Sequence, residues 1–143
     1  MENILIVCTG NTCRSAMAEA VVKDILAQQG RLDQFNVVSR GVAAFEGQPA
    51  SDNAIIACNL AEIDLTKHRA KRIALEDLEA ADRIYAMSEG HREAITSVCP
   101  GCAEKIKVLD LNDPYGLGLD EYQLCLESLT NYFKKEFGQD NGQ

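Results

Sequence analysis

The chain has 143 residues, which suits a single domain, predicted over 1–143, with one hydrophobic core. Its net charge of −8 argues against nonspecific binding to nucleic acid. No apolar run approaches the length of a membrane span, and residues 1–7 lack the features of a secretory signal, so we expect a cytoplasmic protein without membrane contact.

Strand-like and helix-like segments alternate along the chain. Runs of β-branched and aromatic residues predict strands at 4–7, 35–39, 83–87 and 106–109. Apolar residues at helical spacing predict helices over 16–29, 54–60, 75–80, 89–98 and 120–137. Gly30 is expected to end the first helix, Ser88 to cap the fourth, and the tail 138–143 to fray. The alternation predicts a single-domain α/β fold whose functional residues lie at the carboxyl ends of strands.

The stretch from Cys8 to Ser15 has the composition of a phosphate-binding loop. It follows the first predicted strand, precedes the first predicted helix, and has the form C-x5-R, ending in Arg14. Loop N–H groups and the positive end of a helix dipole attract phosphate, and an arginine binds two of its oxygens at once. Because the same groups would lower the pKa of the Cys8 thiol, we expect a nucleophilic thiolate aimed at phosphorus.

Asp113 is the candidate proton donor for this chemistry. It follows the fourth predicted strand, at the same edge of the sheet as Cys8, and it precedes Pro114, which favours an extended backbone. Displacing a leaving group from phosphorus requires such a donor. An ordinary Asp-Pro turn without a chemical role is the alternative interpretation.

Taken together, these motifs resemble the low-molecular-weight protein tyrosine phosphatases. The resemblance covers essentially the whole chain and rests on the C-x5-R-S of residues 8–15, on Met17-Ala18-Glu19-Ala20, and on Asp113-Pro114-Tyr115. It implies a four-stranded parallel sheet flanked by helices, and a phosphoprotein phosphatase that needs no cofactor and no metal. The expected partners are phosphorylated proteins, and the expected state is a monomer.

The resemblance also implies the roles of three catalytic residues. Cys8 would attack phosphorus and form a phosphocysteine intermediate. Arg14 would bind the phosphate. Asp113 would protonate the leaving group and then activate water for the second step.

The remaining loop residues would support this chemistry. By resemblance, Asn11 braces the loop in a strained conformation, and Ser15 donates a hydrogen bond to the Cys8 thiolate. Cys13 matches a cysteine that forms a reversible disulfide with the nucleophile, although a small packed residue is the alternative. The other residues expected to bind phosphate or support the loop are Thr9, Gly10 and Thr12.

Thr12 bears most directly on the substrate. Protein arginine phosphatases that share the fold carry Cys-Thr-Gly-Asn-Thr-Cys-Arg-Ser, which this chain has unchanged at 8–15, whereas tyrosine phosphatases commonly have an aliphatic residue in place of Thr12. A hydroxyl and a smaller volume suit a guanidinium better than a phenyl ring. We therefore expect phosphoarginine as the substrate, with phosphotyrosine as the alternative. Tyr115 and Phe45 are expected to line the same pocket, although Phe45 could instead pack its loop onto the core.

Arsenate reductases share the fold and the C-x5-R loop, and they form a further alternative. That activity would need two more cysteines in relay, the first just after the third strand. This chain has Met87-Ser88-Glu89 there, so the alternative is disfavoured.

The other candidate metal or redox groups are weak. The six cysteines follow no compact framework, so we expect mostly reduced thiols. Cys99 and Cys102 are predicted to lie in a surface turn, with half a zinc knuckle or a redox pair as alternatives. His68 lies in a basic run and is expected to be solvated or to structure a loop near the pocket. Neither His68 nor His91 is expected to be catalytic.

Overall fold

The computed structural model describes residues 1–138, in which four strands alternate with five α-helices. The strands are β1 (Glu2–Cys8), β2 (Phe35–Gly41), β3 (Arg83–Ala86) and β4 (Ile106–Val108). The α-helices are α1 (Arg14–Gln28), α2 (Asp52–Leu60), α3 (Leu75–Ala80), α4 (Glu89–Val98) and α5 (Leu119–Phe137). Short 3-10 helices span Leu32–Gln34 and Pro100–Lys105. Of the tail that was expected to fray, 139–143 lies outside the described residues.

The strands form one parallel sheet in the order β2-β1-β3-β4. β1 lies inside the sheet, and its side chains alternate between two hydrophobic clusters. Ile4 and Ile6 pack on one face, and Leu5 and Val7 pack on the other. Because helices cover both faces, this strand is apolar and buried from Ile4 to Cys8. The predicted four-stranded parallel sheet flanked by helices is confirmed.

The helices divide between the two faces of the sheet. α1, α2 and α5 cover the face of Ile4, where Met17 and Phe133 are fully buried. α3 and α4 cover the face of Leu5 through Leu78 and Ile95. Burial of each such side chain stabilises the fold by roughly 1.5–3 kcal/mol. None of the helices formed by residues 1–138 combines the length and the apolar character needed to cross a bilayer.

The first helix begins at Arg14, earlier than the predicted start at Ala16. Arg14 and Ser15 therefore lie in the first turn, where backbone N–H groups have no partner within the helix. Cys13 precedes that turn and makes no side-chain capping hydrogen bond, so the turn can receive an anion. The helix ends just before Gly30, as predicted, because a φ of 68° at this position suits glycine.

The plain surface turn predicted for Cys99 and Cys102 is wrong, and of the two alternatives the pairing of the two thiols is the one that the structure shows. The two sulfurs form a disulfide, and the segment between them begins a 3-10 helix in place of a plain surface turn. Cys102 is buried in the cluster beneath α3 and α4, which holds its sulfur beside that of Cys99. The expectation of reduced thiols holds for the other four cysteines, which are Cys8, Cys13, Cys58 and Cys125.

Candidate active site

A cleft of about 260 Å³ opens at the carboxyl edge of the sheet, where β1 ends and α1 begins. One side is the loop between these elements, and the other is formed by the segments that follow β2 and β4. It is lined by Cys8, Thr9, Gly10, Thr12, Cys13, Arg14, Ala43, Phe45, Gln48, Asp113 and Tyr115. The fold thus brings most of the predicted loop residues, the predicted acid and the two aromatic residues to one cavity, whereas Asn11 and Ser15 lie behind its lining.

Cys8 lies at the floor of the cleft, at the end of β1, and is 3% exposed. Its sulfur is 2.7 Å from the Ser15 hydroxyl and accepts a hydrogen bond from the Asn11 N–H at 3.3 Å. A sulfur surrounded by donors on one side, with a cleft on the other, is oriented toward whatever enters the cleft. This geometry suits a nucleophile.

The expectation of a lowered Cys8 pKa is not met in this structure. Burial raises the pKa of the Cys8 thiol, because the charged thiolate loses its hydration. The Ser15 hydroxyl, the N–H groups of Ser15 and Asn11, and the Arg14 charge all lower this pKa. Burial is the larger effect, so these groups moderate the desolvation of the thiolate without fully offsetting it.

Arg14 lies at the start of α1 and is 6% exposed. It donates a hydrogen bond to the carbonyl oxygen of Leu111 at 2.9 Å, and its other terminal nitrogen is 3.5 Å from the Asp113 carboxylate. The chain turns sharply after β4 at Asp110, whose φ is 58°. That turn brings Leu111 and Asp113 over Arg14. The same segment therefore holds the guanidinium of Arg14, through the Leu111 carbonyl, and carries the candidate acid.

Asn11 holds the loop together from inside. It is fully buried with a φ of 59°, the strained conformation that the resemblance implied. Its side-chain NH₂ donates to the hydroxyls of Ser15 at 2.8 Å and Ser39 at 2.9 Å, and its side-chain oxygen accepts from the Lys71 N–H at 2.9 Å. One side chain therefore ties the loop to α1, to β2 and to the segment after α2.

Both histidines contact the loop, which the sequence did not predict for His91. His68 Nε2 lies 2.6 Å from the Asn11 carbonyl oxygen, so this residue structures the loop and is not simply solvated. His91 is buried, with Nε2 2.8 Å from Thr9 Oγ1 and Nδ1 2.8 Å from Ser88 Oγ. Ser88 also caps α4, as predicted, by accepting from the His91 N–H. The sequence does place His91 three residues after the cap Ser88, which suggests a contact with Ser88. It does not suggest the contact with Thr9, which is 82 positions away.

Gly41 is a further residue that sequence reasoning missed. It ends β2 directly beside the loop, and a Cβ built on it would lie 2.4 Å from the Thr9 carbonyl oxygen and 3.0 Å from the Asn11 N. These neighbours are backbone atoms, so they cannot swing away as a flexible side chain would. Only glycine allows β2 to approach the loop this closely.

Thr12 and Cys13 point to different surroundings. Thr12 lines the cleft, and apart from a 3.8 Å contact with the Cys13 sulfur its hydroxyl has no hydrogen-bond partner among residues 1–138. The Cys13 sulfur lies 3.3 Å from the Tyr122 hydroxyl and 3.4 Å from the Ser51 hydroxyl. Since both sulfurs are free and contact other groups, the Cys8–Cys13 disulfide stays a prediction.

The mouth of the cleft is exposed. The exposed fraction is 77% for Phe45 and 70% for Tyr115, and the Asp113 side chain is 46% exposed. Phe45 therefore does not pack its loop onto the core. The Asp113 carboxylate accepts a hydrogen bond from the Tyr115 N–H at 3.0 Å, which holds the acid and the aromatic ring in one turn.

No group of three or more metal-ligating side chains (His, Cys, Asp or Glu) comes together anywhere in residues 1–138. What this part of the chain offers is a thiol, a guanidinium, loop N–H groups and a carboxylate around one cleft. Such a set can bind a phosphoryl group and transfer it to sulfur.

Comparison with known proteins gives three different activities on one fold. A protein-arginine-phosphatase of Bacillus subtilis (strain 168) is 34% identical over 150 residues, spanning 96% of this chain and 98% of the relative. An arsenate reductase of Bacillus cereus (strain G9842) is 34% identical over 140 residues, spanning 94% and 96%. The structure of a low molecular weight protein tyrosine phosphatase from T. tengcongensis superimposes with a TM-score of 0.89 at 36% identity, covering 95% and 97%.

The family itself is shown by a further match. The family model described as low molecular weight phosphotyrosine protein phosphatase matches residues 3–139, which is nearly the whole chain. The chain belongs to this family and is a cysteine-dependent protein phosphatase, a hydrolase.

Proposed function

We propose that this phosphatase removes the phosphoryl group from phosphoarginine in proteins and carries it on Cys8 as a phosphocysteine. The observation that carries the proposal is the Thr12 hydroxyl, which lines the cleft without a strong partner of its own. The similarity to a relative named protein-arginine-phosphatase supports it. The catalytic roles of Cys8, Arg14 and Asp113 are part of the same proposal.

In the first step, the phosphoryl oxygens bind the loop N–H groups and Arg14. The Cys8 sulfur attacks phosphorus as the thiolate that the second step regenerates, the S–P bond forms, and the P–N bond to the guanidine breaks. Asp113 gives its proton to the departing nitrogen. Arg14 and the loop donors hold the charge that spreads over the three equatorial oxygens in the transition state. The 3.5 Å separation of Arg14 and Asp113 lets both reach one phosphoryl group.

In the second step, water attacks the phosphocysteine. The Asp113 carboxylate takes the proton of the water, the S–P bond breaks, and inorganic phosphate and the Cys8 thiolate result. The Ser15 hydroxyl, 2.7 Å from the sulfur, and the Asn11 N–H stabilise the departing thiolate. Because burial raises the free energy of this thiolate, we expect the Ser15 hydroxyl and the Asn11 N–H to accelerate the second step more than the first.

Thr12 favours arginine for two reasons. An aliphatic residue at this wall would complement the face of a phenyl ring, whereas a hydroxyl can accept a hydrogen bond from a guanidine N–H or hold a water against it. The shorter side chain also leaves room for the planar guanidine. Tyr115, exposed at the mouth, can stack on the cationic group.

Phosphotyrosine is the second candidate substrate. The observation that favours it is the pair of exposed aromatic residues, Phe45 and Tyr115, which line the same cleft and could enclose a phenyl ring. The family model and a tyrosine phosphatase of the same fold agree with that activity. Arginine and tyrosine differ at the leaving group and not at the phosphoryl group, so the floor of the cleft serves both.

Arsenate reduction has less support. A relative at 34% identity bears that name, but Met87-Ser88-Glu89 after β3 contains no thiol. The Cys99–Cys102 disulfide belongs to the cluster on the opposite face of the sheet from Cys8. A thiol relay from Cys8 to this pair would have to cross the sheet. Turnover of arsenate in a thioredoxin-coupled assay would overturn this argument.

The test is a side-by-side assay of phosphoarginine and phosphotyrosine peptides of the same sequence, with wild type and Thr12→Ile. We expect wild type to have the higher kcat/KM on phosphoarginine. In Thr12→Ile, the preference should shift toward phosphotyrosine by about tenfold to a hundredfold, as expected for one change in a pocket wall. The third protein is the matched control Thr12→Val, which keeps the branched shape and size of Thr12 and removes only its hydroxyl. A ratio that is the same in all three proteins would show that Thr12 does not decide the substrate.

A further inference from the structure

Four exposed basic side chains follow one another closely beside the phosphate loop, on a chain whose net charge is −8. They are Lys67, Arg69, Lys71 and Arg72, which we name the basic strip. They account for four of the 14 Lys and Arg residues of the chain. The basic strip is therefore a local concentration of positive charge on a protein with an excess of acidic residues.

Backbone contacts attach the basic strip to the cleft. The N–H of Lys71 donates to the side-chain oxygen of Asn11 at 2.9 Å, and its carbonyl accepts from the Gly41 N–H at 3.0 Å. The neighbouring Ala70 N–H donates to the carbonyl of Gln48 at 2.7 Å, and Gln48 lines the cleft. The basic strip thus runs along the loop that carries one wall of the cleft.

The basic strip forms no ion pair within the described part of the chain, and the one carboxylate that Lys67 acts on through its charge is that of the exposed Asp64. Across residues 1–138, none of its four side chains lies within 4.0 Å of a carboxylate oxygen. Arg69 donates only to backbone carbonyls, those of Thr66 and His68. Glu46 lies near, and its carboxylate accepts from the backbone N–H of Arg72. Of the ten other Lys and Arg residues, six form ion pairs in residues 1–138, and these are Arg14, Lys23, Arg40, Arg83, Arg92 and Lys107.

We propose that the basic strip docks an acidic segment of the substrate protein, adjacent in sequence to the phosphorylated residue. The proposal rests on the phosphatase function proposed above. Its occupant is an acidic peptide because charge complementarity selects it: the surplus of acidic residues repels such a segment elsewhere on the surface, and the basic strip attracts it. The basic strip would therefore fix the direction in which the substrate chain leaves the cleft.

The expected size of the effect follows from exposure. Each exposed charge pair contributes little to the binding free energy of a peptide in water. Several pairs together should raise kcat/KM for an acidic peptide by about threefold to tenfold at low ionic strength. The effect should decline as salt is added, because salt screens exposed charges. A small substrate such as p-nitrophenyl phosphate has no flanking chain and should be indifferent to these residues.

The experiment compares peptides that differ only beside the phosphorylated residue, with Asp and Glu in one and Asn and Gln in the other. Both are made with phosphoarginine and with phosphotyrosine. The test variant is Lys71→Gln with Arg72→Gln, which leaves the Arg69 contacts intact. The matched control is Lys134→Gln with Lys135→Gln, which removes the same charge from the last turn of α5. That turn lies near Phe35 at the amino end of β2, the opposite edge of the sheet from the cleft.

We expect wild type and the control to prefer the acidic peptide by the same ratio, and the Lys71, Arg72 variant to lose most of that ratio while hydrolysing p-nitrophenyl phosphate normally. A ratio near one in wild type, a ratio that survives in the Lys71, Arg72 variant, or an equal loss in the control would overturn the proposal. Wild type that hydrolyses neither the phosphoarginine peptides nor p-nitrophenyl phosphate would instead refute the proposed function. The Kd of the two peptides for each protein, measured by fluorescence anisotropy, then decides the docking proposal separately.

Discussion

The floor and the mouth of the cleft are built in different ways. Cys8, Asn11 and Arg14 at the floor are at most 6% exposed, and hydrogen bonds join them to several elements of the fold. Phe45 and Tyr115 at the mouth are at least 70% exposed. The difference indicates that the floor is coupled to the stability of the protein, whereas the mouth can change with little effect on folding. In the proposed mechanism, the nucleophile and the phosphate-binding arginine lie at the floor, whereas the acid Asp113 lies at the mouth beside Tyr115.

The largest effect is expected for Cys8→Ser at the floor. A hydroxyl has nearly the same shape as the thiol but is a much weaker nucleophile, so turnover should fall by roughly 10⁴-fold or more. The free energy of unfolding should change little, since Ser can keep the contacts with Ser15 and Asn11. Steady-state assays with p-nitrophenyl phosphate and thermal melts measure the two quantities. Retained turnover would refute the role of Cys8.

Asp113→Asn tests the mouth. We expect kcat on phosphotyrosine peptides to fall by about 10²- to 10⁴-fold, because the phenolate leaves without a proton. Loss on phosphoarginine should be smaller, since the P–N bond is labile. The melting temperature should stay close to that of wild type, because the Asp113 side chain is half-exposed. Equal slowing on both substrates would argue against the leaving-group explanation, and a large loss of stability would remove the distinction between floor and mouth.

Gly41→Ala tests whether the floor of the cleft is coupled to the stability of the protein, through a residue that lies outside the C-x5-R motif. The new methyl group would meet the backbone of Thr9 and Asn11, and relief of this contact should cost about 1–3 kcal/mol of stability. Activity should fall with it, since the same backbone atoms shape the floor. Gly101→Ala, whose Cβ would meet open space, is the control for the change of residue type. Denaturant titrations and kcat/KM of both variants provide the measurement.

The smallest effect is expected for His91, on the pH dependence of the free energy of unfolding. Burial, followed by the Arg14 charge, lowers the pKa of His91, while Asp113 raises it. Because the unfolded state then binds the proton more readily, the stability that neutral His91 contributes is present above about pH 6.5 and is lost as the pH falls through the folded pKa. His91→Asn should flatten the dependence of unfolding free energy on pH below that point, by at most about 1.4 kcal/mol per pH unit. An unchanged slope would show that His91 titrates as it does when unfolded.

The sequence predicted the parts of this site that are local or follow from topology. The C-x5-R loop between an apolar strand and a helix is a contiguous motif, so Cys8 and Arg14 could be assigned directly. Asp113 could be assigned because carboxyl ends of parallel strands share one edge of the sheet. The element types along the chain were predictable because each has its own hydrophobic period.

Contacts between distant segments could not be predicted in this way. His91 meets Thr9, and Gly41 meets the loop, only because β1 lies beside β2 and β3, and no local pattern specifies those pairs. The Cys99–Cys102 disulfide was missed for another reason. Spacing shows that two cysteines can be near each other, but the packing of Cys102 beneath α3 and α4 determines whether their sulfurs meet. The Cys8 pKa depends on burial in the same way, which a motif does not reveal.

The most direct test of the proposed mechanism is to trap the phosphocysteine intermediate. Asp113→Asn, in which the second step lacks its base, is mixed with a phosphoarginine peptide, quenched within a single turnover, digested and mapped by mass spectrometry. We expect a phosphoryl group on the peptide that contains Cys8, attached to that sulfur, and its loss on longer incubation. Release of phosphate from the substrate without any phosphorylated Cys8 would contradict it.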